Sequence, residues 1–231
     1  HEMNDQSAIF TPLAKRVSIG GNELVLAKST TTAIDAISTV VDFLEFLAQA
    51  PTGAGYIGIP SDILNQDFTE QVPAPSKNCV DFINQEKNLK IDQELIKKTL
   101  EGVNKIGIWA GGGAQGISEE ITKLSEHLNA PIFTSFAGRG VGGASKNYLT
   151  IPIHEVEAEQ VLSQCEALLV FGSQLDGMNT KNWSIKFPQV ICVVDANPAI
   201  TLKNIKASAV IQSSKLDKVI DTMFKNCCKT I

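Results

Sequence analysis

The second half of the chain alternates apolar segments with segments of helical periodicity, and this alternation limits the folds it can adopt. The runs 106–110, 167–171 and 190–194 are apolar almost throughout, and the amphipathic segment 118–128 follows the first of them. Strands that are apolar on both sides must be covered on both faces, as in a parallel α/β sheet. We therefore predict a doubly wound, Rossmann-like parallel sheet of about six strands over 91–231, with helices on both faces.

The first part of the chain is organised differently. Apolar residues recur three or four positions apart in 31–49, which predicts a helix, and 55–59 is a short apolar strand that ends at Pro60. The predicted apolar stripe of that helix consists of Ile34, Ile37, Val41, Leu44 and Leu47. Residues 65–90 are polar and contain several Pro and Asn residues, so they are predicted to be a linker. The chain would then comprise a partial α/β domain (1–64), a linker (65–90) and a central domain (91–231).

Composition and charge exclude several classes of function. Lys plus Arg number 20 and Asp plus Glu 25, and there is no basic run, so we expect neither nucleic-acid binding nor attraction to an anionic membrane. No apolar run approaches the ~20 residues of a membrane span. The five cysteines are odd in number and lack metal-ligand spacing, and there are only three histidines. This pattern fits a reducing cytoplasm and predicts neither a disulfide framework nor a metal site.

Ligands of open α/β sheets bind beyond the carboxyl ends of the strands, and one of these ends is rich in glycine. Gly111, Gly112 and Gly113 follow the strand 106–110 and precede a helix, where backbone N–H groups can hold a phosphate. The spacing to Gly116 matches G-x-G-x-x-G, but no acidic residue follows at the end of a second strand, so a nicotinamide cofactor is not indicated. A tight turn that binds nothing explains the glycines equally well.

Three other segments are candidates for binding. Gln174 follows a predicted strand, and Asp195 ends another, where it could accept hydrogen bonds from a ribose or simply form a turn. Arg139 stands between two glycines and could bind phosphate or pair with a carboxylate of a neighbouring domain. The sequence shows no Ser/His/Asp arrangement, no carboxylate pair and no activated nucleophile, so we predict no catalytic residue and no metal ligand.

In their order and spacing, these segments resemble the central domain of thiamine-diphosphate-dependent enzymes. The matching segments are 108–114, 121–132, 138–140, 171–172 and 194–198. The family usually has Gly-Lys-Gly where this chain has Arg139, and a second Asp where it has Asn197. Residues 56–64, YIGIPSDIL, are similar to the closing strand of the family's pyrimidine-binding domain, and residues 2–5 are similar to the stretch after its active-site loop.

The resemblance implies a parent enzyme of the acetolactate synthase and pyruvate oxidase kind, a dimer or tetramer that acts on a small 2-oxo acid with thiamine diphosphate and Mg²⁺. Its activating glutamate would precede residue 1, and its Gly-Asp-Gly…Asn motif would follow residue 231. We therefore expect this chain to be an inactive fragment of a decarboxylating carboligase. The alternatives are a pyruvate oxidase, a 2-oxo-acid decarboxylase or lyase, and a non-catalytic nucleotide-binding module.

The family's central domain binds FAD in some members, ADP in others and no nucleotide in many. By resemblance, FAD or ADP would contact Gly111, Gly112, Gly113, Gln174 and Asp195. The chain departs from the FAD-binding pattern at two positions, because many acetolactate synthases have Arg where Gln174 stands and an acidic residue near Ser213.

Overall fold

A computed structural model describes residues 5–19, 22–49, 53–69, 71–80 and 93–226. The chain divides into two compact units, His1–Leu89 and Lys90–Ile231. Residues 2–4 and 81–90, which carry parts of the resemblance and of the predicted linker, lie outside the described residues, and so do Cys227 and Cys228.

The first unit contains two small sheets and one long helix. Strands β1 (Arg16–Ile19) and β2 (Asn22–Val25) form an antiparallel pair, and β3 (Ala27–Ser29) pairs in parallel with β4 (Tyr56–Gly58). The helices are α1 (Ser7–Phe10), α2 (Ala33–Ala48) and α3 (Ser61–Leu64), and residues 77–80 are also helical.

Helix α2 lies where the sequence predicts a helix, but it buries a different face. Its buried residues are Ala36, Thr39, Phe43 and Phe46. Of the predicted stripe, Ile34 and Leu44 are 43% and 63% exposed. Because α2 is apolar on more than one side, periodicity alone predicts the helix without telling which side packs against the unit's core.

The predicted linker supplies part of that core. Cys79 is fully buried and clusters with Leu26, Phe43 and Phe46, and the amide of Ser76 donates to the Asp42 carboxylate of α2 at 2.7 Å. Burial raises the pKa of the Cys79 thiol to about 11, so this thiol stays neutral and behaves as a small apolar side chain.

The second unit is built around a five-stranded, wholly parallel sheet, which confirms the predicted doubly wound fold with one strand fewer than expected in the described residues. Its strands are β5 (Ile106–Ala110), β6 (Ile132–Thr134), β7 (Ala167–Phe171), β8 (Val190–Asp195) and β9 (Ala209–Gln212). They lie in the order β6-β5-β7-β8-β9, so the chain reverses its direction of travel across the sheet at β5.

Helices cover both faces of this sheet, as predicted. They are α4 (Gln93–Leu100), α5 (Ser118–Leu128), α6 (Val156–Ser163), α7 (Thr201–Asn204) and α8 (Leu216–Asn226). Leu169 and Phe171 of β7 pack in the cluster that includes α4, α5 and α8, whereas Leu168 and Val170 pack in the cluster that includes α6. Both sides of the strand are therefore buried, which is why it contains no polar residue.

The described helices include none that is both long and apolar enough to cross a membrane.

Candidate functional site

The strand order places a topological switch point between β5 and β7. In sheets of this kind, ligands bind in the crevice outside the carboxyl ends of the two strands that flank the reversal. Gly111 follows β5 and Gly172 follows β7. The edge of the sheet at which β5–β9 end, called the carboxyl edge below, therefore contains the glycine turn that the sequence singles out.

Backbone packs directly on backbone in this crevice. A β-carbon on Gly111 would stand 2.2 Å from the carbonyl oxygen of Gly172, and one on Gly172, whose φ is +56°, would stand 2.6 Å from the carbonyl carbon of Gly113. The amide of Gly111 donates to the Phe171 carbonyl at 2.8 Å, and that of Gly113 donates to the Gly172 carbonyl at 3.0 Å. Gly111 and Gly172 are thus required by the packing, and the amides of Gly111 and Gly113 already have partners inside the protein.

Gly112 has a different environment. A β-carbon there would first meet the β-carbon of Ala137, at 3.1 Å. Ala137 belongs to the loop after β6, and its carbonyl accepts a hydrogen bond from the Gln115 side chain at 2.8 Å. Gly112 begins a 3₁₀ helix, Gly112–Ile117, which leads directly into α5. Of the three glycines, Gly112 is the one at which an added side chain would meet a side chain before any backbone.

Gln174 lies just after β7 and Asp195 is the last residue of β8, and the two strands are neighbours, since Phe171 pairs with Val194. The Gln174 side chain is exposed. Asp195 is half-buried, and one of its carboxylate oxygens accepts the amide of Asn197 at 2.7 Å. Desolvation raises the pKa of Asp195, and the Asn197 hydrogen bond opposes that rise. The ends of β7 and β8 thus carry a carboxamide and a carboxylate.

Arg139 lies at the same edge, in the loop after β6. Its guanidinium donates to the carbonyl of Thr150 at 2.6 Å. It lines a small cleft together with His154 and Phe136, whose rings lie 5.5 Å apart between centroids. The structure therefore adds an imidazole and an aromatic ring beside the arginine, which the sequence alone did not connect.

A buried hydrogen bond crosses from β5 to the segment after β7. Trp109 and Ser173 are both buried, and the indole N–H donates to the Ser173 hydroxyl at 3.1 Å. The carbonyl of Ser173 in turn accepts the hydroxyl of Thr201 at 2.8 Å. The indole of Trp109 is therefore a built-in fluorescent reporter of the carboxyl edge.

Sequence reasoning pointed to Gln174 at the start of the loop after β7 but missed the part of the loop that follows it. Asn179 is buried and makes hydrogen bonds both to Asp176 and to the amide of Phe136. Lys181, Asn182 and Trp183 all have positive φ angles, between 50° and 60°. Neither apolar periodicity nor glycine marks these residues, so no pattern in the sequence indicates them.

A larger cavity of about 340 Å³ lies at the opposite edge of the sheet, near Lys105 and Cys165. It is lined by Asn129 and Gln164, which end helices α5 and α6. Helix carboxyl ends carry partial negative charge, and Lys105 offsets it. Burial raises the pKa of the Cys165 thiol to about 11, although Lys105 lowers it in part. This cavity therefore offers no reactive thiol.

Within the described ranges, no group of three or more His, Cys, Asp and Glu side chains is placed to hold a metal ion.

Comparison with known proteins identifies the family. The model of the central domain of thiamine pyrophosphate enzymes matches residues 94–220. This chain belongs to the thiamine pyrophosphate enzyme family. The predicted resemblance is therefore confirmed, and the matched residues include every strand of the five-stranded sheet and all the candidate site residues.

The acetolactate synthase large subunit of Buchnera aphidicola subsp. Acyrthosiphon pisum (strain APS) is 28% identical over 181 residues, which cover 73% of this chain and 31% of that protein. The 231-residue chain thus spans about a third of the length of that relative. The X-ray structure of a protein from Mycobacterium smegmatis, described as a thiamin diphosphate-dependent enzyme, superposes with a TM-score of 0.62 at 15% identity, over 85% of this chain and 39% of that one. This second likeness supports the fold.

Proposed function

We propose that this chain is part of an acetolactate-synthase-like carboligase, which decarboxylates a small 2-oxo acid and transfers the two-carbon unit to an acceptor. The proposal is supported by the similarity to an acetolactate synthase large subunit and by the central-domain match. The parent would be a cytoplasmic homo-oligomer, a dimer or tetramer. Pyruvate oxidase, 2-oxo-acid decarboxylase or lyase, and a non-catalytic nucleotide-binding module are the alternatives.

Thiamine diphosphate and Mg²⁺ supply the carbanion chemistry in such a parent, and other parts of it would hold them. The 231-residue chain is expected to show neither saturable binding of thiamine diphosphate with Mg²⁺ nor decarboxylation of pyruvate. Calorimetry with both cofactor components tests this, and tight saturable binding would contradict it.

The role of the second unit itself is to bind a nucleotide, FAD or ADP, along the carboxyl edge. Asp195 is the observation that supports this role. Its carboxylate is half-buried, and the ion pairs found in the described part of the chain do not involve it. A ribose hydroxyl would donate to this carboxylate without adding charge, in a charge-assisted hydrogen bond of about 1.5–3 kcal/mol.

The glycine turn fits a diphosphate at one position only. Since the amides of Gly111 and Gly113 already donate within the protein, the diphosphate would approach the turn at Gly112. A diphosphate would meet bare backbone there, since even a β-carbon on Gly112 would crowd the β-carbon of Ala137 at 3.1 Å, and the helical segment that follows presents its positive end. Gln174 would contact the same nucleotide from the end of β7.

Titration of FAD and of ADP into the 231-residue chain tests the nucleotide site. Binding is followed by calorimetry and by quenching of the two tryptophans, Trp109 and Trp183, both of which lie in the second unit. Asp195→Asn should weaken binding about tenfold to a hundredfold, because it removes one hydrogen bond to a charged acceptor. Asp221→Asn is the matched control on an exposed position of α8. No binding of either nucleotide to the wild-type chain would refute this role.

A further inference from the structure

Asn179 joins two loops that belong to different strands. It lies in the loop after β7, and its side-chain oxygen accepts the amide of Phe136, in the loop after β6, at 2.8 Å. Its side-chain nitrogen donates to both carboxylate oxygens of Asp176, at 2.9 Å each. The Asn179 backbone amide also donates to Asp176, at 2.9 Å. We call Asp176 and Asn179 together the amide clamp.

The clamp spans the carboxyl end of β5. Strands β6 and β7 lie on opposite sides of β5 in the sheet, so the bond from Asn179 to Phe136 crosses the strand from which the glycine turn emerges. Ala137, the residue after Phe136, is the one that a β-carbon added to Gly112 would meet first. The Gln115 side chain ties the carbonyl of Ala137 to the turn itself. A displacement of the 135–138 loop would therefore change the space around Gly112.

The loop that supplies the clamp is held in a strained conformation. Leu175 and the run Lys181–Trp183 have positive φ angles, a backbone conformation that costs free energy for a residue other than glycine. The Trp183 indole donates to the Leu175 carbonyl at 2.9 Å, and the Thr180 hydroxyl donates to the Asp176 carbonyl at 2.8 Å. Strain of this kind persists only where the surrounding contacts enforce it, and it clusters at functional sites.

We propose that Asn179 is a positioning residue of the nucleotide site: through the amide clamp it fixes the loop after β6 against the glycine turn, and it thereby sets the affinity for FAD or ADP. This inference rests on the proposed nucleotide site. Asn179 itself need not touch the ligand, because it is 8% exposed and its amide group is occupied by Phe136 and Asp176.

The bond between Asn179 and Asp176 can be broken by substitution while the bond between Asn179 and Phe136 is kept. Asn179→Asp retains an oxygen for the Phe136 amide but replaces the donor to Asp176 by a second oxygen, so two carboxylates would face each other. The exchanged pair Asp176→Asn with Asn179→Asp restores a carboxamide opposite a carboxylate. Asn182→Asp places the same added charge on the same loop, at an exposed position outside the clamp.

The experiment measures FAD and ADP dissociation constants for the wild type, Asn179→Asp, the exchanged pair and Asn182→Asp. Asn179→Asp should weaken binding about tenfold or more, because two facing carboxylates would release the loop after β6 and leave about a tenth or less of the chain in the binding-competent arrangement. The exchanged pair should return to within about threefold of the wild type, as expected when two residues act as one unit. Asn182→Asp should leave the dissociation constant unchanged.

Hydrogen exchange at the Phe136 amide provides a readout that does not need a ligand. Exchange there should be faster in Asn179→Asp and slow again in the exchanged pair, with the urea midpoint of the second unit recorded alongside. Nucleotide affinity that is the same in Asn179→Asp as in the wild type overturns the proposal, and so does a folded exchanged pair that fails to regain affinity. If the wild-type chain binds neither nucleotide, the proposed function fails first, and with it the site that Asn179 would position.

Discussion

The carbonyl oxygen of Gly172 lies 2.2 Å from the point at which a β-carbon would stand on Gly111. The ends of β5 and β7 approach each other so closely that only a residue without a side chain fits between them. Glycine at this position is therefore explained by the packing of two backbones, whether or not a ligand binds nearby.

Gly111→Ala should destabilise the second unit by about 3 kcal/mol or more, because backbone cannot move aside as a flexible side chain can and overpacking alone costs 1–3 kcal/mol. Gly116→Ala is the control, since a β-carbon there meets nothing within 4 Å, and it should change the free energy of unfolding by less than about 1 kcal/mol. Urea unfolding followed by tryptophan fluorescence measures both. Equal effects of the two substitutions would show that the close approach is not a constraint.

Gly112→Val should leave the fold intact and abolish FAD or ADP binding. The added side chain meets the β-carbon of Ala137 at 3.1 Å, which small movements of the loop after β6 can relieve, but it fills the space through which a diphosphate would approach. Calorimetry with each nucleotide tests the loss of binding, and circular dichroism of the variant tests whether the fold is retained. Undiminished binding would show that the nucleotide lies elsewhere.

The central sheet could be predicted because its inner strands are buried on both faces and are therefore apolar almost throughout. The run 167–171 is strand β7, and 118–128 is helix α5, with the bounds that the sequence predicts. In the first unit the helix was predictable but its buried face was not, since Ile34 and Leu44 are as apolar as Phe43 and Phe46. Which face is covered depends on contacts distant in sequence, such as the one between Cys79 and α2.

The site was predictable only where glycine or a strand end marks it. Gly111, Gly112, Gly113, Gln174 and Asp195 all lie at the carboxyl edge, because parallel strands end there together, and their role in binding stays a prediction. The amide clamp has no such mark. Asp176 and Asn179 are common turn residues, and only the three-dimensional path of the loop brings Asn179 to Phe136.

Lys15→Met should destabilise helix α2. Lys15 is 8% exposed, and its ammonium group donates to the carbonyls of Phe46 and Gln49, with 2.6 Å to the latter, at the carboxyl end of the helix. Loss of these bonds should cost about 1–3 kcal/mol, because buried carbonyls lose a charged donor. Hydrogen exchange of α2 amides measures the effect.

Lys28→Met is the matched control for that substitution. Lys28 pairs with Asp35 at 2.6 Å, but the two side chains are 48% and 32% exposed, and pairs of this kind contribute about 0–1 kcal/mol. Exchange rates in α2 that respond equally to both substitutions would contradict the assignment of Lys15 as the residue that caps the helix.

Asp195→Asn should make the second unit more stable near neutral pH, even as it weakens nucleotide binding. Desolvation raises the pKa of Asp195 above its ordinary value of 3.8, so the folded state holds the proton more tightly than the unfolded state does. The wild-type protein therefore loses stability as the pH rises through the folded-state pKa. An asparagine does not titrate, and its side-chain oxygen can still accept the amide of Asn197.

The difference in urea midpoint between Asp195→Asn and the wild type should consequently be largest near neutral pH and should shrink as the pH falls toward 3.8. Asp221→Asn, on the exposed side of α8, should show no such trend. A midpoint difference that grows on acidification would mean that the carboxylate stabilises the fold in its ionised form. A stabilised variant with weakened nucleotide binding would instead show that the carboxylate serves the ligand at the expense of stability, as is usual for functional sites.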